Sequence, residues 1–172
     1  PENVVSSLNE YFSDMIDIVF KYNGTVDKII GDELMIVYGA PISAKDDTQR
    51  AVTTAVEMQK QITRLNKERI KRKDMPISAG IGINRGIVVS GNIGSRDMMD
   101  YTVIGDTVNL GARLCSAAGP GEILVSSTVW KETQKHHSYK ELEPIKVKGK
   151  KNKVGVYRIE YDGWGRPTTK LT

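Results

Sequence analysis

The sequence predicts one domain in which helices alternate with pairs of strands, a sheet covered by helices of the α+β or α/β kind. Three observations carry this. The 172 residues suit a single compact core and are too few for two typical domains with a linker. Two long segments repeat apolar residues at the spacing of one helix face. Short β-rich runs, bounded by glycine and asparagine, fill much of the rest.

From Val4 to Tyr22 the apolar positions are Val5, Leu8, Phe12, Met15, Ile16 and Val19, an amphipathic helix that Asn23 and Gly24 stop. Val26, Ile29 and Ile30, then Leu34 to Tyr38, read as a hairpin turning at Gly31 and Asp32, which puts Asp32 at the tip. A second helix spans about Asp46 to Asn66, with Ala51, Ala55, Met58, Ile62 and Leu65 as its buried stripe. Ile77, Ala79, Ile81 and Ile83 alternate with smaller or polar residues in the period of a strand, and Gly86 opens a further run through Val89. The glycine-rich stretch from Gly91 to Met99 reads as a protruding loop. A third helix begins near Asp106 and ends at Gly119, Pro120 and Gly121, although Val108, Leu110, Ala112 and Leu114 are too evenly spaced to reveal its buried face. The remainder reads as a short strand at Ile123 to Val125, a helix capped by Ser126 or Ser127, and strands near Ile145 to Lys148 and Val154 to Ile159.

Composition narrows the function classes. No apolar run approaches the roughly 18 to 20 residues that cross a bilayer, and no segment has the order of a signal peptide. The expectation is a soluble domain. Cys115 has no second cysteine to pair with, which fits a reducing compartment and a small buried hydrophobe. The net charge is +4, with basic residues bunched at Arg69 to Lys73 and Lys146 to Lys153. The first bunch reads as a solvated helix end, since Lys and Arg favour the last turn. Neither has interleaved aromatics or a groove-binding motif, so no nucleic acid is expected as a partner. His136 and His137 have no partners at ligand or triad spacing and read as loop residues.

Several polar residues admit a chemical reading beside a bland one. Asp32 is either a turn aspartate or a Mg²⁺ ligand that leaves room for phosphate. Lys28 is by itself a strand lysine facing solvent. Asn109 and Arg113, four residues apart, share one face if both lie on the third helix, where they form either an exposed polar pair or a grip for one ligand. Arg supplies a rigid fork of donors suited to phosphate, while Asn both donates and accepts. Lys148 is a solvated edge lysine or a point charge for a polyphosphate.

Four segments connect these residues: Val26 to Pro41 (VDKIIGDELMIVYGAP), Gly80 to Ser95 (GIGINRGIVVSGNIGS), Tyr101 to Arg113 (YTVIGDTVNLGAR) and Val147 to Lys150 (VKGK). In order and spacing they resemble class III adenylyl cyclase catalytic domains, over nearly the whole chain. The resemblance implies a ferredoxin-like, palm-like α+β sheet flanked by helices, dimerising head to tail with active sites across the interface. It divides the chain into a catalytic domain at 1–161 and a C-terminal tail at 162–172.

The resemblance also implies roles. Asp32 matches the second of two aspartates that hold two Mg²⁺ or Mn²⁺ ions. Lys28 and Thr102 match the pair that reads adenine, Lys28 donating to a ring nitrogen and Thr102 able to accept from the amino group. Threonine there is typical of a bacterial and soluble-cyclase-like subgroup, whereas many relatives have aspartate. Guanylyl cyclases usually place glutamate at the position of Lys28, so the lysine points to ATP. Asn109 matches the residue that orients the ribose, Arg113 the one that neutralises charge on the α-phosphate, and Lys148 the one that holds the terminal phosphates. Lys28 and Asp32, close in sequence, would serve opposite sites of the homodimer.

The chain starts at Pro1, without methionine, inside what reads as a helix start. It is read as a fragment of a longer parent with upstream regulatory domains, its first strand and first metal aspartate lying before Pro1. The expectation is that the fragment is inactive and the parent an active, cytoplasmic cyclase, whether or not it is tethered to a membrane. Two rivals stand beside this reading. Gly31, Asp32 and Glu33 after an apolar strand are also similar to diguanylate cyclases, and the fold could serve as a non-catalytic regulatory or dimerisation module.

Overall fold

The computed structural model describes residues 2–95, 98–146 and 153–163. Helix α1 (Glu2–Lys21) leads into the hairpin β1 (Thr25–Ile30) and β2 (Glu33–Val37), then α2 (Asp47–Lys71). Strand β3 (Ile81–Ile83) and the hairpin β4 (Val89–Ser95) and β5 (Met98–Ile104) precede α3 (Asp106–Ala117). The chain continues through β6 (Ile123–Ser126), α4 (Ser127–Thr133), β7 (Ser138–Ile145) and β8 (Val154–Glu160). The described strands form a sheet of order β3-β6-β8-β7, in which only β3 and β6 are parallel, and two separate antiparallel pairs, β1-β2 and β4-β5.

Strand β6 shows why the fold is layered. Its residues are buried on both faces: Ile123 and Val125 pack with Val52, Ala55 and Val56 of α2 and Val129 of α4, while Leu124 packs with Leu110 and Leu114 of α3. Side chains alternate across a strand, so this run of apolar residues places α3 on one face and α2 with α4 on the other. A third cluster joins Met15 and Val19 of α1 to Met58 and Ile62 of α2, with Val26, Leu34 and Ile36 of the first hairpin packed against it.

The ends of α1 are instructive. At its C-terminus Asn23 takes φ 54°, its N–H bonds the Phe20 carbonyl at 3.0 Å, and the Gly24 N–H reaches the Val19 carbonyl at 2.9 Å. This is the left-handed cap expected of an Asn-Gly stop. Near its N-terminus Val5, one of the positions on the apolar face expected from the spacing, is 59% exposed.

Four other expectations change. Helix α2 runs on to Lys71, and its basic end is not wholly solvated: Arg69 is 4% exposed, donating to the Met75 carbonyl (2.8 Å), Glu10 (2.7 Å) and Ser7 (2.9 Å). The alternating segment from Ile77 becomes strand only at Ile81, because α2 side chains occupy the earlier backbone groups. Asn66 bonds both the N–H and the carbonyl of Ile77, at 2.8 and 2.7 Å, and Gln59 donates to the Ala79 carbonyl at 2.8 Å. The segment from Gly91 to Met99, read as a loop, is largely hairpin, its ladder pairing Val89 with Ile104 through to Ser95 with Met98. Strand β7 starts at Ser138 and ends at Ile145, earlier than the strand expected at Ile145 to Lys148. Lys148 and the VKGK segment lie outside the described residues, as do residues 164–172 of the tail.

Candidate functional site

The β1 ladder pairs Val26 with Ile36 but Lys28 with Met35, so Asp27 is an extra residue, a bulge. Bulges re-aim side chains, and here Asp27 is buried against a neighbouring hairpin. Its carboxylate accepts a 2.7 Å hydrogen bond from the Thr102 hydroxyl, and the same oxygen lies 3.5 Å from the Lys28 ammonium. Thr102 itself is 6% exposed on β5, opposite Gly91 on β4, while its neighbour Tyr101 points outward. The two residues expected to read a base are thus brought together through one acid. Sequence reasoning passed over Asp27; the available signal was a carboxylate inside an apolar strand run, next to lysine.

Asp32 stands exposed at the tip of the β1-β2 hairpin, beyond the closing pair of Ile30 with Glu33. Gly31 takes φ 63° in this two-residue turn, a conformation that favours glycine. Among the described residues no group of three or more His, Cys, Asp or Glu could hold a metal ion. A lone exposed carboxylate fits a hard cation whose remaining ligands are substrate phosphates and water, the usual arrangement for Mg²⁺.

Helix α3 carries Asn109 and Arg113, both exposed and one turn apart, while Leu110 and Leu114 face the core. Neither polar side chain takes part in a hydrogen bond or ion pair with the described residues. Three contacts fix this helix. A Cβ at Gly82 of β3 would lie 2.1 Å from the Cys115 backbone nitrogen, so only glycine allows so close an approach. The Thr107 hydroxyl donates to the Ile87 carbonyl at 2.7 Å, and Asn84 donates to the Thr107 carbonyl at 2.8 Å. Cys115 sits against β3, its thiol 3.6 Å from the Gly80 carbonyl and pushed up in pKa by burial, as suits an inert packing residue. A cleft of about 600 Å³ beside the start of α3, lined by Asp106, Thr107, Ser127 and Lys153 among others, includes none of the expected site residues that are described, Lys28, Asp32, Thr102, Asn109 and Arg113.

The family model for the adenylate and guanylate cyclase catalytic domain matches residues 1–165. The chain belongs to that family. An uncharacterized protein of Mycobacterium tuberculosis is 36% identical over 131 residues, 74% of this chain and 22% of the relative. The chain therefore spans about a fifth of the length of the curated relatives it matches. The adenylyl cyclase CyaB from P. aeruginosa superimposes with a TM-score of 0.89 at 34% identity, over 94% of this chain and 84% of that one. The guanylyl cyclase Cya2 gives 0.87 at 36% identity, over 96% and 85%. The α+β fold is that of class III cyclase catalytic domains, and membership in this family sets aside the diguanylate cyclase reading.

Proposed function

We propose that this domain converts ATP to 3′,5′-cyclic AMP and pyrophosphate, at sites formed across a homodimer, in a cytoplasmic signalling protein. The observation that carries the reading is the meeting of Lys28 and Thr102 at the Asp27 carboxylate, an ammonium donor beside a hydroxyl held as an acceptor. Adenine offers a ring-nitrogen acceptor next to an amino donor, whereas guanine presents a carbonyl where that amino group would be. Lys28 and Thr102 complement the first pattern.

In the proposed reaction the ribose 3′-oxygen forms a bond to the α-phosphorus, the bond to the pyrophosphate oxygen breaks, and the 3′-hydroxyl proton leaves to solvent. Asn109 orients the ribose, and Arg113 neutralises charge that builds on the α-phosphate, with a planar donor fork suited to it. Lys148 is assigned to the terminal phosphates. Asp32 is the described residue that would hold Mg²⁺ or Mn²⁺, two ions per complete site, which when bound lower the pKa of the 3′-hydroxyl and screen the triphosphate.

The test is product formation by the full-length homodimer from ATP and from GTP with Mg²⁺ or Mn²⁺. Cyclic AMP as the main product supports the reading. Cyclic GMP as the main product would overturn the substrate assignment, and nucleotide binding without turnover would favour the non-catalytic module.

A further inference from the structure

We propose that Asp27 is a positioning residue that fixes Thr102 as an acceptor towards the base and so sets much of the preference for ATP over GTP. This rests on the adenylyl cyclase reading above. The starting point is the bulge. In a regular strand Asp27 and Lys28 would point to opposite faces, yet the extra residue in β1 lets both reach the Thr102 side of the hairpin.

The Asp27 side chain is 6% exposed, and a carboxylate so buried needs partners. It has two, the Thr102 hydroxyl at 2.7 Å and the Lys28 ammonium at 3.5 Å, both on Oδ2. An ionised carboxylate only accepts hydrogen bonds. The one proton of the Thr102 hydroxyl is therefore committed to Asp27, and only oxygen lone pairs remain for a ligand. A free threonine hydroxyl can turn to donate or accept, so alone it distinguishes poorly between an amino group and a carbonyl. Held by Asp27, it attracts the adenine amino group and repels the guanine carbonyl.

Three variants of the full-length protein test this, read as the ratio of kcat/KM for ATP to that for GTP and as competition between the two nucleotides for binding. Asp27→Leu removes the acceptor while keeping the branched shape of the side chain and should lower the ATP preference about tenfold, the effect of one hydrogen bond turned from attraction to repulsion. Asp27→Asn keeps an acceptor oxygen and should hold the preference within about threefold of wild type. In a Thr102→Val background, Asp27→Leu should change the ratio no further, which a merely structural carboxylate would not predict. Thermal melts show whether each variant folds, and Asp27→Ala replaces the leucine variant if that one does not. An unchanged ratio in a folded Asp27→Leu protein overturns the proposal. So does a loss that persists without the Thr102 hydroxyl, or failure of both the Leu and Ala variants to fold. A wild-type preference for GTP would instead overturn the adenylyl reading, and this proposal with it.

Discussion

The two polar clusters proposed to meet the nucleotide are held in opposite ways. On β1 and β5, Thr102 and Lys28 both contact the Asp27 carboxylate, and the Asp27 and Thr102 side chains are almost wholly buried. On α3, Asn109 and Arg113 are exposed and bonded to no described side chain, although the helix beneath them is fixed by Gly82, Thr107 and Asn84. Discrimination between bases depends on which atoms donate and which accept, so it needs hydroxyl and ammonium groups set in advance. Charge neutralisation needs a cation on a rigid platform, and its partner is the phosphate itself.

This contrast can be broken at either end. Arg113→Ala should lower kcat by about 10² to 10³-fold, as loss of one transition-state charge contact does, while the melting temperature stays within error because the side chain is exposed. A melting temperature that falls with activity would mean Arg113 supports the fold. Arg69 belongs to neither cluster and serves as a control. Arg69→Leu strands Ser7 and the Met75 carbonyl and leaves Glu10 with only Arg72, so urea unfolding should show a loss of about 2 to 4 kcal/mol, with unchanged activity per folded molecule. Gly82→Ala forces β3 and α3 apart, a cost of about 1 to 3 kcal/mol; it should also reduce turnover while leaving the ATP to GTP ratio alone, because α3 moves and the β1-β5 cluster does not.

The smallest effect is a pH dependence outside both clusters. Burial, and then the neighbouring His136, holds the pKa of His137 below its ordinary value, and the His137 ring nitrogen lies 2.8 Å from the Gln49 amide nitrogen. The neutral ring accepts from that amide, and the protonated ring cannot. Because the folded pKa is the lower one, the stability linked to His137 is present above the unfolded value near 6.5 and is lost as pH falls through the folded pKa. Denaturant midpoints between pH 7.5 and 5.5 should fall more for wild type than for His137→Gln.

Much of the fold was legible because periodicity reports burial. The stripe through Met15 and Val19 and the hairpin turning at Gly31 and Asp32 needed only local sequence. What escaped depends on partners distant in the chain. The ladder of β4 and β5 is hidden by glycines that weaken the alternation, and the strand before Ile81 is cut short by side chains of α2. Arg69 looked like part of a solvated charge run until Glu10 and Ser7, some 60 residues away, proved to enclose it. In the candidate site Lys28, Thr102, Asn109, Arg113 and Asp32 are proposed from motifs alone. Asp27 was not, since a bulge is a property of pairing register and the sequence of β1 alone reads as an unbroken strand.

In the proposed homodimer one site takes Arg113 from one protomer and Asp32, at its exposed hairpin tip, from the other. The most direct measurement mixes full-length Asp32→Ala and Arg113→Ala proteins, each inactive alone, after subunit exchange has been demonstrated. Cyclic AMP production should then return to about a quarter of the wild-type rate, since half the molecules become mixed dimers and each has one intact site of two. No recovery despite exchange would contradict it and would mean that each site is built within one chain.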